Sequence, residues 1–313
     1  MNLWLLCILA AISTAEVASA EPMPPDDRCQ ASPGVKAAGL RHRRNRFVVG
    51  LGPPNHRGND LIAAAGDAVQ RLGGKLAYGP TDKDLQDEDV EVFACVNRRW
   101  QSVGRTRTDS DGRFQIALTG AARLPAGMRD LYVASLADAT GAWFVGFVVP
   151  AGSPVIVTDI DGTLTWSENS IIRTVLAGRD IAHRPNAPAA LTASGYPIVY
   201  VTTRGDLFTA VTRDWLTRHG FPRGALRLAG GLMARAGQSS VSYKTSVLRA
   251  LTVPIAAGIG NRRTDITAYR NAGLTPDRIL IHLPEFVKEL RADLAAGKAT
   301  GFSDYRALPI PRP

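Results

Sequence analysis

The stretch VIVTDIDGTLT, residues 155–165, places two aspartates directly after a short run of apolar and β-branched residues. Such a run predicts a buried strand, and residues i and i+2 of an extended chain point to the same side. We therefore expect the carboxylates of Asp159 and Asp161 to face one spot at the end of the strand. Gly162 allows the chain to turn there, and Thr163 offers a hydroxyl. An N-cap and turn cluster would explain one of these aspartates but not both.

Apolar strands alternate with helical stretches from Val155 onward. The predicted strands are VIVT, PIVYVT, LRLA, IAAGIG and RILIHL, and the predicted helices lie near residues 187–193, 206–219, 243–251 and 264–271. Repeated βα units predict an α/β fold with a doubly wound parallel sheet, covered by helices on both faces. In such sheets the functional site lies at the carboxyl ends of the strands.

Residues 74–150 have a different pattern, in which short alternating runs are separated by turn-forming residues. The runs are KLAY, VEVFACV, RFQIAL, LYVASL and WFVGFVV. Alternation with this punctuation predicts an antiparallel, sandwich-like β-domain. In TDSDGRF, Asp111-Gly112 lies between two such runs, as is typical of a hairpin. We therefore expect a small β-rich domain ahead of the α/β domain.

The whole chain divides into five predicted parts. These are a signal peptide at 1–20, a loosely structured lead-in at 21–73, the β-rich domain at 74–150, the α/β domain at 151–300 and a Pro-rich tail at 301–313. Within the lead-in, DLIAAAGDAVQRLGG is predicted to form one short helix, with Asn59 or Asp60 as its cap and Gly73-Gly74 as its stop.

The first twenty residues resemble an export signal. They contain an apolar run and end in Ala-Ser-Ala, the small-x-small pattern of a cleavage site. No Lys or Arg precedes the run, so an uncleaved anchor is the alternative, although the run is shorter than a bilayer span. The expected location is secreted or periplasmic.

Composition limits the class of protein. The chain has 313 residues, of which 45% are hydrophobic, so it can bury a full core and is not a disordered sequence. Its formal net charge of +9 favours anionic partners such as phosphorylated compounds, nucleic acid or an acidic membrane surface. Beyond the leader the cysteines are Cys29 and Cys95, which either form a disulfide or remain two thiols. Neither has CxxC spacing, which argues against a thiol-redox or zinc role.

Further polar residues follow the later strands in the same manner. Thr202 comes after PIVYV, Asn261 and Asp265 come after IAAGIG, and Lys244 lies between them in SYKTSVLRAL. Each alone is readily explained as a cap or a solvated side chain. Their joint order, after the paired aspartates, indicates one site at the carboxyl edge of the sheet.

In these motifs the sequence resembles the haloacid dehalogenase superfamily of aspartate-nucleophile phosphatases. DIDGT matches the first motif, Thr202 in VTTR the second, Lys244 the third, and Asn261 with Asp265 in GNRRTD the fourth. Within that superfamily, DIDGTLT, YVTTR, TRDWLTRHGFP and GIGNRRTDITAY resemble the lipin-type phosphatidate phosphatase domain, and the preceding segment resembles the β-domain of related bacterial proteins. WSENS, where a lysine-bearing stretch is expected, and Asn261, in place of a common aspartate, depart from the pattern.

The resemblance implies a phosphatase-like site with named roles. Asp159 would attack phosphorus, and Asp161 would act as general acid and base. Thr202 would hydrogen-bond a phosphoryl oxygen, and Lys244 would steady the nucleophile and the transferring group. Mg²⁺ would be held by Asp159, the backbone carbonyl of Asp161, and Asn261 or Asp265.

The expected function is that of an exported, Mg²⁺-dependent phosphomonoester hydrolase, acting on phosphatidate or a related phospholipid. The intervals 166–196 and 205–243 are too short for a separate cap domain, so the site is expected to be open to a headgroup in a bilayer. Peripheral contact with an anionic membrane is expected, and a specific nucleic-acid partner is not. The alternatives are a phosphatase for soluble or nucleic-acid phosphomonoesters, and a non-catalytic phosphatidate-binding module.

Overall fold

The computed structural model describes residues 26–167, 180–230 and 237–311. The predicted leader at 1–20 lies outside the described residues. The intervals 166–196 and 205–243, which bear on the predicted absence of a cap, each include residues outside those ranges.

The N-terminal unit is built from short strands that form two sheets around one apolar core. The first sheet has β1 (Arg57–Asn59), β3 (Val69–Lys75) and β8 (Arg113–Thr119), in the order β1-β3-β8. The second has β2 (Leu61–Ala64), β6 (Asp89–Val96), β7 (Arg99–Arg107), β9 (Gly127–Ser135) and β10 (Gly141–Val149), in the order β2-β10-β9-β6-β7. Leu72 and Phe114 of the first sheet pack into the same cluster as Val92 and Leu131 of the second. The predicted sandwich-like domain is therefore confirmed.

Smaller elements complete this unit. They are the helix α1 (Asn45–Val49) and a two-stranded ribbon formed by β4 (Ala77–Tyr78) and β5 (Lys83–Asp84). Cys29 and Cys95 form a disulfide across a sequence separation of 66 residues. The N-terminal segment is thereby tied to strand β6.

The helix predicted for DLIAAAGDAVQRLGG is wrong. This segment forms β2 and β3, with β2 parallel to β10 and β3 between β1 and β8. Helix propensity of alanines is a weak preference, and tertiary pairing overrides it here. The glycines serve close strand packing rather than a helix stop, since a Cβ on Gly74 would lie 2.1 Å from the carbonyl oxygen of Arg57.

The C-terminal unit contains the predicted parallel sheet with its helices. Its strands are β11 (Val155–Thr158), β12 (Ile198–Gly205), β13 (Gly224–Ala229), β14 (Ile255–Gly260), β15 (Ile279–His282) and β16 (Thr300–Phe302). Its helices are α2 (Ala187–Ala193), α3 (Thr209–Arg218), α4 (Gly237–Ala250), α5 (Arg263–Asn271) and α6 (Val287–Ala295). Leu191 and Trp215 of α2 and α3 cover one face of the sheet, whereas Leu248 and Ile266 of α4 and α5 cover the other.

The order of the parallel strands explains where a site can form. It is β13-β12-β11-β14-β15-β16, so consecutive strands proceed outward from β11 in one direction and then from β14 in the other. At such a reversal the two flanking connections leave on opposite faces, and a crevice opens beyond the carboxyl ends of the strands. Asp159 directly follows β11, and Asn261 directly follows β14. The predicted site residues therefore meet at this crevice.

The two units share an extended interface. Strand β10 is apolar on both sides: Phe144 faces the sandwich core, whereas Phe147 packs in the cluster formed by β11, α4 and α5. The fully buried carboxylate of Asp60 accepts hydrogen bonds from Val145 N (2.8 Å), Leu226 N (2.7 Å) and Arg213 Nη2 (2.8 Å). Asp60 thus joins β10 to β13 and α3 of the C-terminal unit.

In the part of the chain that the structure describes, every helix is too short or too polar to cross a membrane.

Candidate functional site

Lys244 lies at the centre of a buried group of acidic side chains. Its Nζ donates to Asp159 Oδ1 and to Asp265 Oδ1, with both distances 2.6 Å. Asp159 is held by the end of β11, and Lys244 comes from α4, which packs beside α5. The structure therefore brings together the first, third and fourth sequence motifs.

Asp265 has both carboxylate oxygens occupied by protein donors. Oδ1 accepts from Lys244, and Oδ2 accepts from the backbone N–H groups of Asn261 and Arg262, each at 3.0 Å. Gly260 permits this arrangement, because a Cβ there would lie 2.5 Å from Asp265 Cβ. Asp265 is thus placed to position Lys244 and the loop after β14, which leaves Asn261 as the residue of the fourth motif with a side chain available for a ligand.

Thr163 and Asn261 form a second part of the site. The Thr163 hydroxyl is 3.1 Å from Asp159 Oδ2 and 3.0 Å from Asn261 Oδ1. A hydroxyl has one proton and cannot donate to both oxygens. Asn261 is fully buried, and its Nδ2 has no hydrogen-bond partner among the described residues. If the amide group is flipped, Nδ2 donates to Thr163 and the amide oxygen occupies the position where Nδ2 now has no hydrogen-bond partner among the described residues.

Asp161 is clamped by an arginine for which the sequence analysis assigned no role. Arg204 Nε donates to Asp161 Oδ2 at 2.8 Å, and Arg204 Nη2 donates to Oδ1 at 2.7 Å. The Thr202 hydroxyl adds a hydrogen bond to Oδ2 at 3.2 Å. The Arg204 side chain is only 4% exposed, and its Nη1 is anchored on Thr212 Oγ1 at 3.0 Å. The signal was present in VTTR, because Arg204 is two residues after Thr202 and an extended chain points both to the same side.

Burial and charge shift the pKa values of the central pair. Burial raises the pKa of Asp159 to about 7; the Lys244 ammonium opposes this rise, and the carboxylates of Asp265 and Asp161 add to it. Burial acts to lower the pKa of Lys244, but Asp159 and Asp265 outweigh that effect and raise it above its ordinary value. Lys244 therefore stays charged, whereas the charge of Asp159 depends on pH and on nearby cations.

The formal charge of the site bears on what it can hold. Three carboxylates (Asp159, Asp161 and Asp265) face two cations (Lys244 and Arg204), which leaves one negative charge. A phosphate dianion would be repelled by that balance unless a further cation were bound with it.

The available oxygens fit a magnesium ion that is shared with a bound phosphate. Over the described ranges, no three His, Cys, Asp or Glu side chains gather as a metal site. Mg²⁺ is, however, often held by one or two protein oxygens together with water and phosphate oxygens. Asp159 Oδ2 and the amide oxygen of Asn261 meet that need, since the other carboxylates are engaged by Lys244, Arg204 and backbone donors.

Both units match known protein-family models. Residues 54–148 match the beta-sandwich domain of PITM 1-3, and residues 156–282 match the LNS2 domain of PITM 1-3. LNS2 is lipin-like, so the resemblance to lipin-type domains is supported at that coarser level.

Individual relatives agree with these matches. The chain is 30% identical over 234 residues to membrane-associated phosphatidylinositol transfer protein 3 of Homo sapiens, covering 72% of this chain and 23% of that protein. It is 28% identical over 269 residues to protein retinal degeneration B of Drosophila melanogaster, covering 83% of this chain and 21% of that protein. The chain thus spans about a fifth of the length of these relatives.

The comparisons correct the predicted function and location. The relatives are named as membrane-associated phosphatidylinositol transfer proteins, so the prediction of an exported Mg²⁺-dependent hydrolase with a signal peptide is wrong. The predicted secreted or periplasmic location is wrong for the same reason. The predicted roles of Asp159, Asp161, Thr202, Lys244, Asn261 and Asp265 remain predictions. In its two described units the chain is similar to the beta-sandwich and LNS2 domains of PITM 1-3.

Proposed function

We propose that the C-terminal unit binds the phosphate of an anionic phospholipid headgroup and holds it without hydrolysis. The proposed lipid is phosphatidate. The observation that carries this proposal is the two-pronged contact between Arg204 and Asp161. A general acid must bring a proton to the departing oxygen. Asp161 instead accepts hydrogen bonds on both oxygens from a buried guanidinium, a strong and geometrically fixed pairing. The group that would protonate the leaving alkoxide is therefore engaged elsewhere.

The remaining polar groups suit phosphate binding. Lys244 supplies a permanent charge, and Asn261 supplies the buried amide that lacks a partner among the described residues. Because the site has one formal negative charge, we propose that Mg²⁺ accompanies the phosphate, with Asp159 and Asn261 as its protein ligands. When bound, this ion would neutralise the repulsion between phosphate and carboxylate.

A lipid rather than a soluble ester is favoured by the relatives and by the rim of the site. The relatives bear the name of membrane-associated phosphatidylinositol transfer proteins. Trp166 follows DGTLT directly and is 57% exposed, with the Arg184 guanidinium 5.3 Å from its ring centroid. Exposed tryptophans are typical of surfaces that contact the headgroup region of a bilayer. The net charge of +9 would add attraction to anionic lipid.

The proposal is tested by measuring vesicle binding and phosphate release in the same samples. The protein is sedimented with phosphatidylcholine vesicles that contain or lack phosphatidate, in Mg²⁺ or in chelator. We expect Mg²⁺-dependent binding to the phosphatidate vesicles and no phosphate release. Asn261→Ala should weaken that binding, because it removes one of the two proposed protein ligands of Mg²⁺, whereas the exposed control Asn271→Ala should not. Steady release of phosphate would refute the proposal.

A further inference from the structure

A second polar cleft lies between the two units, and its lining includes neither Asp159 nor Lys244. Its volume is about 410 Å³, which is within the range of small-molecule sites. One wall is the three-stranded sheet of the sandwich, represented by Arg71 and Gln115, and the other is formed by β13 and α4, represented by Arg227 and Val247. The cleft therefore exists only where both units are present.

The register of the sandwich sheet explains why this wall is basic. In β3 and β8, Leu72 and Phe114 point into the sandwich core, so the residues that alternate with them point outward. Arg71 on β3 and Arg113 on β8 are among these outward residues, and both are exposed and line the cleft. Gly73 lies between them on the same face and leaves the floor open.

Among the described residues, none of the three arginines that line the cleft has a carboxylate within ion-pair distance. Over the described residues, no ion pair involves Arg71, Arg113 or Arg227, and Arg227 Nη1 donates only to the backbone carbonyl of Asp60. Burial lowers the pKa of Arg227, although the nearby Asp60 carboxylate opposes this effect.

The two acidic residues of the cleft do not compensate these charges. Asp60 is paired with Arg213 at 2.8 Å, and Asp206 is paired with Arg57 at 3.1 Å. Both carboxylates therefore serve the contact between the units, and with Arg213 and Arg57 counted against them the cleft keeps a formal excess of three positive charges.

We infer that this interdomain cleft is a second anion site, which binds a multiply phosphorylated polyol, either as a lipid headgroup or as its soluble form. Arginine side chains bind phosphate oxygens in pairs of hydrogen bonds, and three of them match more than one phosphate group. Asn59 and Gln115 also line the cleft and can hydrogen-bond hydroxyl groups. Since the arginines come from both units, a bound ligand would hold the units together.

The test uses the full chain and two probes. Inositol trisphosphate binding is measured by isothermal titration calorimetry, and binding to phosphatidylcholine vesicles with or without phosphatidylinositol bisphosphate is measured by co-sedimentation. Chelator is present throughout, so that Mg²⁺-dependent binding at the Asp159 site does not contribute. The variant is Arg71→Gln with Arg113→Gln. Its matched control, Arg99→Gln with Arg291→Gln, removes the same charge from exposed positions outside the cleft.

We expect the cleft variant to bind the probes at least about tenfold more weakly than the wild type, as for loss of charge-assisted hydrogen bonds, and the control to bind like the wild type. Binding of both probes would support recognition of the shared headgroup, and binding of the vesicles alone would support a lipid ligand. Equal loss in the cleft variant and the control, or no binding of either probe by the wild type, would overturn the inference. Circular dichroism and thermal unfolding of both variants confirm that each is folded.

Discussion

Replacing Asp159 by asparagine should change how the stability of the protein depends on pH. The pKa of Asp159 rises from an ordinary value of 3.8 to about 7 on folding, mainly through burial. The folded state therefore binds this proton more tightly than the unfolded state, and the stability contribution falls as pH rises between these two values. At about 1.4 kcal/mol for each tenfold change in proton affinity, the loss approaches about 4 kcal/mol above neutral pH. Asparagine carries no titrating proton and removes this loss.

The measurement is urea unfolding at a series of pH values from about 4 to 8, in chelator, for the wild type and Asp159→Asn. The difference in free energy of unfolding, variant minus wild type, should increase by about 4 kcal/mol from the lowest to the highest pH of the series. Asp214→Asn, a change in an exposed carboxylate paired with Arg218, is the control and should run parallel to the wild type. Parallel curves for Asp159→Asn and the wild type would refute the argument that burial raises the pKa of Asp159.

Three further predictions concern the interface, the disulfide and the rim of the site. Asp60→Ala should lower the free energy of unfolding by about 3–5 kcal/mol, because Arg213 and two backbone N–H groups lose their buried acceptor; urea unfolding tests this, and a loss below about 1 kcal/mol would contradict it. Reduction of Cys29–Cys95 should cost about 4 kcal/mol, from the loop of 66 residues that it closes, and an unchanged urea midpoint would count against that figure. Trp166→Ala should weaken binding to phosphatidate vesicles without changing the unfolding midpoint, whereas the exposed Trp143→Ala on β10 should leave binding intact; equal effects of the two changes would exclude a specific role for Trp166.

The arrangement of the α/β unit was predictable because its local and tertiary signals agree. An apolar run followed by Asp159 and Asp161 has one physical solution in a parallel sheet, namely a buried strand with polar residues at its carboxyl end. The helices α2 and α5 also agree with the predictions near residues 187–193 and 264–271. Asp265 and Lys244 then meet because α5 begins just beyond the carboxyl end of β14 and α4 packs beside α5.

The errors arose where distant partners decide the structure. The segment from Asp60 to Gly74 has the alanines and caps of a helix, but pairing with β10 and β8 fixes it as strands. Asp60 itself contacts Arg213, which is 153 residues away, and no local pattern identifies such a partner. The clamp of Arg204 on Asp161 likewise depends on the adjacent ends of β11 and β12. Arg204 was therefore assigned no role from the sequence, although the motif that contains it was found.

The most direct test of the account is to compare phosphatidate binding with phosphate release for the wild type and for Arg204→Met, on the same vesicles and with Mg²⁺. We expect the wild type to bind the vesicles and to release no phosphate. Arg204→Met should bind more weakly, because the site loses one of its two cations. The control Arg291→Met removes an exposed charge outside the site and should bind like the wild type. Phosphate release by the wild type that continues over many turnovers, and that Asp159→Asn abolishes, would contradict the central claim that this site holds a phospholipid headgroup without hydrolysing it.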